Sequence, residues 1–100
     1  MTMIQLTVNI AMREEVTALL SDAGITAWQA VEPATGKTTV GQPRMNDAVW
    51  PGYNTLFFIP TDAETATDLL KRLSDFNDGL SNDDERLTAA AWPLSSTLGC

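Results

Sequence analysis

Apolar and polar residues alternate at the start of the chain, with Ile4, Leu6, Val8 and Ile10 set against Gln5, Thr7 and Asn9. A period of two predicts a strand with one buried face. The period then lengthens. Val16, Leu19, Leu20 and Ala23 fall at i, i+3, i+4 and i+7, the apolar stripe of a helix. Glu14 and Glu15 sit in its first turn, where the helix dipole favours acids. Gly24 reads as the C′ cap, with Ile25 placed to fold back on the helix. A second strand is expected over residues 26–32.

The periodicity stops between Pro33 and Gly52, a stretch broken by Pro43 and Pro51 and by Gly36 and Gly41. Loops of this length are uncommon in compact domains, and they either carry function or lack fixed structure. Val40, Val49 and Trp50 leave room in it for a hairpin extending the flanking strands. The third strand, residues 54–59, is apolar on both faces through Leu56, Phe57, Phe58 and Ile59. Thr61 followed by Glu64 has the spacing of a capping box. The helix it opens carries Ala66, Leu69, Leu70, Leu73 and Phe76 on one stripe and ends at Asn77-Asp78-Gly79. After an acidic turn, Leu87 to Leu94 reads as a last strand, with Pro93 at its end or on an edge.

The order β-α-β-loop-β-α-β predicts an α+β domain of the ferredoxin-like βαββαβ type. It would have an antiparallel four-stranded sheet, two helices on one face, and a long loop between the second and third strands. The 100 residues make one domain. The helices leave one sheet face bare. A third strand apolar on both sides, with Trp28 and Trp92 on its neighbours, predicts that copies pack those faces together. Each large apolar side chain so buried contributes roughly 1.5–3 kcal/mol.

Thirteen acids against 6 bases give a net charge of −7, which disfavours nucleic acid and anionic membranes as partners. No stretch has the run of apolar residues needed to cross a bilayer, and the alternating start does not read as a signal peptide. The one cysteine, Cys100, ends the chain, and no intrachain disulfide can form, as expected of a cytoplasmic protein. The chain has no His, the commonest general base and metal ligand. Without a paired nucleophile and base, no catalytic residues are assigned, and binding rather than catalysis is expected.

With the elements placed, the chain resembles the PII superfamily of trimeric signalling proteins. The resemblance rests on Ala18-Leu19-Leu20-Ser21-Asp22-Ala23-Gly24-Ile25-Thr26 followed by Glu32, on Pro51 ahead of the apolar third strand, and on Ala89-Ala90-Ala91-Trp92-Pro93-Leu94. It implies a homotrimer with sheets facing inward. It also implies a small effector, an adenine nucleotide as the candidate, in clefts between subunits. Residues 33–52 would be the loop that engages a membrane transporter or an enzyme. By position, Gly36 and Lys37 would lie at the base of that loop, Asp78 and Gly79 in the turn before the last strand, and Arg86 at its start. Arg44, Trp50 and Tyr53 would serve the partner loop. The family holds ATP phosphates with basic residues in that turn, whereas Asn77 to Arg86 here carries four acids and one Arg, which repel a triphosphate.

Three motifs have plainer readings beside them. Gly36-Lys37-Thr38 looks like the end of a P-loop, but Val31 stands where that motif needs Gly, leaving Lys37 as a simple anion contact or a solvated lysine. Asp75, Asp78, Asp83, Asp84 and Glu85 miss the spacing of a calcium loop and read as a solvated acidic turn, so no metal site is assigned. Trp50-Pro51-Gly52-Tyr53 places two aromatics around a tight turn, as a ligand wall or as a packed entry to the third strand. The alternatives to the PII-like reading are a CutA-like metal-tolerance trimer and an ACT-like small-molecule-binding module.

Overall fold

The computed structural model describes residues 1–100. The elements run β1 (Thr2–Asn9), α1 (Arg13–Asp22), β2 (Gln29–Ala34), β3 (Asn54–Thr61), α2 (Ala63–Asp78) and β4 (Thr88–Pro93). Single 3-10 turns, Ile10–Met12 and Asp83–Glu85, precede α1 and β4. The strands form one antiparallel sheet in the order β2-β3-β1-β4, the ferredoxin-like arrangement expected of the sequence.

The alternation in β1 sorts its side chains as predicted. Ile4, Leu6 and Val8 are wholly buried and meet Phe57 and Ile59 of β3 with Val16 and Leu20 of α1 and Leu69 and Leu73 of α2. Register carries the same alternation across the sheet. Leu6 faces Phe57 on one side and Ala89 on the other, while Gln5 faces Phe58 and Ala90. The bare face therefore presents Val31, Leu56, Phe58 and Trp92, with Val31 and Trp92 exposed and Leu56 and Phe58 half-buried. Trp28 is not part of it. It precedes β2 and packs edge-on against the core ring of Phe57, with centroids 5.2 Å apart.

Boundaries differ from expectation where backbone groups find other partners. The second strand starts three residues late because the chain first closes α1. Gly24, at φ +80°, lets Ile25 N–H reach back to the Leu20 carbonyl at 3.0 Å, and Ile25 drops into the core. β2 then runs on through Pro33, which an edge strand tolerates because its missing N–H breaks no ladder. Register shifts between Val31 and Ala34. At α2 the cap is Asp62, not Thr61, which is the last residue of β3 and pairs with Thr2. The Asp62 carboxylate accepts from Thr65 N–H at 2.7 Å and from its hydroxyl at 2.8 Å. Those bonds hold its pKa below the usual Asp value. At the other end, Asn77 clamps the entry to β4. It donates to the Leu87 carbonyl and accepts from the Leu87 N–H, at 2.9 and 2.8 Å. No helix is long and apolar enough to cross a membrane.

Candidate functional site at the base of the long loop

The stretch between β2 and β3 doubles back on itself at its base. Gly36 and Arg44 exchange both backbone hydrogen bonds at 2.9 Å, a single bridge in place of the longer hairpin that Val40, Val49 and Trp50 allowed. That bridge carries the Arg44 side chain inward. Arg44 is only 6% exposed, the one charged residue among the buried set. Its Nε donates to the side-chain oxygen of Asn54, and its Nη1 lies 3.4 Å from the main-chain oxygen of Asp84.

Asp84 holds the opposite side of the loop base. Its carbonyl also accepts from Asn9 Nδ2 at 3.0 Å, and its carboxylate accepts from Gln42 N–H at 2.7 Å. The fit is close. Gly41 has φ +76°, and a Cβ there would stand 2.6 Å from an Asp84 carboxylate oxygen and 3.1 Å from the Asp84 Cα. Only glycine meets both the backbone conformation and the space. Asn9 and Asn54 are register partners where β1 ends and β3 begins. The ends of the two central strands, the loop, and the turn before β4 thus converge on one polar node.

Beyond this node the loop closes with a compact turn. The Asp47 carboxylate accepts from Val49 and Trp50 N–H at 3.1 and 2.7 Å, and Met45 N–H donates to the Trp50 carbonyl at 3.0 Å. The Tyr53 carbonyl accepts from Ile10 N–H at 3.1 Å, fixing the return to β3. Between turn and node lies a cleft of about 340 Å³, walled by Trp50, Pro43 and Pro51 and floored by Arg44, Asn9 and Asp84. Burial holds the Arg44 guanidinium below the usual arginine range, and the charge of Asp84 opposes that shift. A second, wholly polar hollow of about 550 Å³ lies between Gly41-Gln42 and Ser81 to Asp84.

The residues singled out in the sequence fall around this region without all meeting. Gly36 forms the bridge, and Lys37 beside it is exposed, its Nζ donating to the Thr38 carbonyl at 3.1 Å. Asp78 ends α2 in solvent and Gly79 caps it, donating to the Phe76 carbonyl at 3.1 Å. Arg86 turns back to the Leu80 carbonyl at 3.4 Å and pairs with Asp83 at 3.4 Å. Trp50 lines the cleft, and Arg44, expected in a partner-facing loop, points inward instead. Sequence reasoning missed Asn9, Gly41 and Asn54, and it took Asp84 for one more solvated acid. The only available signal was an Asn at the end of one central strand and another at the start of the next.

No protein-family profile matches the chain, and no curated protein is similar to it in sequence. Solved structures are similar in shape. One is CPII of Thiomonas intermedia K12 bound to ADP, AMP and acetate, with a TM-score of 0.68 at 16% identity over 90% of this chain and 81% of that one. The same protein bound to ADP and bicarbonate gives 0.68 at 16% identity, covering 95% and 88%. A protein of Thermus thermophilus described as a PII-like signalling protein gives 0.65 at 14% identity, covering 91% and 82%. The chain has the fold of the PII-like signalling proteins.

Proposed function

We propose that this chain is a divergent PII-like regulator, a binding protein without catalytic activity. It assembles as a homotrimer through its bare sheet face and holds an adenine nucleotide between subunits. Through the outer part of the 33–52 loop it modulates a protein partner, a transporter or an enzyme. The observation that carries this reading is the clasp between the loop and the turn before β4. It ties the segment that would meet a partner to the segment that would meet the effector, so that a ligand at one alters the other. The fold likeness to proteins bound to ADP and AMP supports the ligand class. The exposed Val31 and Trp92 on the bare face support self-assembly.

In this reading Lys37 and Arg86 meet phosphate, Gly36 and Gly79 let backbone approach it, and Asp78 borders the nucleoside. Asp78, Asp83, Asp84 and Glu85 crowd the turn, so AMP and ADP should bind in preference to ATP. Thermal unfolding against AMP, ADP, ATP, amino acids and divalent metals tests this. A ligand at 100 times its Kd stabilises the folded state by about 2.7 kcal/mol. The expected result is stabilisation by AMP or ADP, lost in Lys37→Ala and Arg86→Ala, in a protein of trimeric mass by light scattering. Stabilisation by metals or amino acids alone, or a dimeric mass, refutes the reading.

A further inference from the structure

The two halves of the bare sheet face are unlike. Register sets Gln29, Phe58, Gln5 and Ala90 in one row across it, and Val31, Leu56, Thr7 and Thr88 in the next. The β2–β3 half of these rows is a ridge of Val31, Leu56 and Phe58. The β1–β4 half is low, and Gln5, Thr7, Thr88, Ala89 and Ala90 line an open hollow of about 230 Å³ in it. Trp92 stands one row beyond the hollow, opposite Met3. None of these row positions is charged, in a chain of net charge −7. Copies meeting through their helices would bring together exposed acids such as Glu14, Glu15, Asp68 and Asp75, whereas copies meeting through this face bring none together. A strongly charged partner finds no counter-charge here.

We infer that this face is covered by a second copy of the chain, with the Leu56–Phe58 ridge of one copy seated in the Thr7–Thr88–Ala90 hollow of the next. A large ring entering the space left by small residues gives close packing that two ridges or two hollows cannot. Gln29 stands beside Phe58 in its row, so its amide enters with the ring and offers hydrogen bonds to the Gln5 amide and the threonine hydroxyls. In a ring of three the contact runs head to tail, and each copy gives its ridge to one neighbour and its hollow to the other. This rests on the reading of the bare face as the assembly surface, and it adds which residues meet there.

Light scattering of the full chain over a dilution series reads the contact, with circular dichroism to check that each variant is folded. The native chain should have a trimeric mass. Val31→Asp sets a charge on the ridge, at a residue 53% exposed in the single chain, and should reduce the mass to one chain. Ala90→Phe fills the hollow from an exposed position and should raise the concentration at which the assembly comes apart roughly tenfold or more. Phe58→Ala combined with Ala90→Phe exchanges ridge and hollow in that row. The pair should associate more tightly than either single variant, because each ring again meets a small residue. Lys71→Ala, on the exposed side of α2, should leave the mass unchanged. A native chain of single-chain mass at every concentration overturns this inference together with the trimer. A trimer that Ala90→Phe leaves undisturbed, or a double variant no tighter than its singles, overturns the pairing alone. A dimer whose association follows the exchange supports the pairing and sinks the three-fold assembly.

Discussion

The helix-covered core and the base of the long loop are both well packed, but by different means. In the core, Ile4, Leu6, Val8, Phe57 and Leu69 are buried without a polar atom among their side chains, and fit is a matter of volume. At the loop base the contacts are Arg44 to Asn54, Asn9 to Asp84 and Gln42 to Asp84, and fit is a matter of donor meeting acceptor. Apolar packing is non-directional and tolerates small shifts. A polar node holds only while each donor keeps its acceptor, so a shift at one contact is felt at the others.

The sharpest way to separate the two regions is to damage each alone. Phe57→Ala empties a fully buried site and should cost about 3–5 kcal/mol in urea unfolding, lowering the stability of the whole domain. Gly41→Ala strikes the other region. Left-handed backbone costs a non-glycine residue about 1–2 kcal/mol, and the added Cβ meets Asp84 at 2.6 Å. Its expected effect is faster proteolytic cutting within residues 35–53 with little change in the urea midpoint. If Gly41→Ala shifts the midpoint as far as Phe57→Ala does, loop and core are one cooperative unit and the contrast fails.

The smallest effect concerns Asp62, which belongs to neither region and serves as a control. Its folded pKa lies below its ordinary value of 3.8, chiefly through its bonds to Thr65. Its contribution is therefore complete above that value and fades as pH falls through the lower folded pKa. Asp62→Ala should be modestly less stable than the native chain at neutral pH and indistinguishable from it in strong acid. A gap that persists in acid would place the effect in something other than the carboxylate.

The same contrast explains what could be read in the sequence. Period-two and period-3.6 patterns record which side of an element is buried, so β1, α2 and the element order followed directly from positions such as Ile4-Leu6-Val8 and Leu69-Leu73. Trp28 misled because an aromatic next to a strand carries no mark of the face it takes, and its place was set by Phe57 in a distant segment. The node was hidden for a related reason. Asp84 lies 42 residues from Gln42 and 75 from Asn9, and nothing local distinguishes it from the solvent-facing acids beside it. Arg44 looked like any loop cation, since burial of a charge depends on partners that periodicity does not encode.

The central place of β1 has a consequence for how the protein comes into being. Its two neighbours, β3 and β4, lie at residues 54–61 and 88–93, so the first strand made waits for the last before its second edge is covered. Helices can form as they emerge, but this sheet joins segments far apart in sequence, and such contacts close slowly. Until β4 has been made, β1 is a ribbon with one apolar face and an open edge, the state in which a chain is most exposed to pairing with the wrong partner.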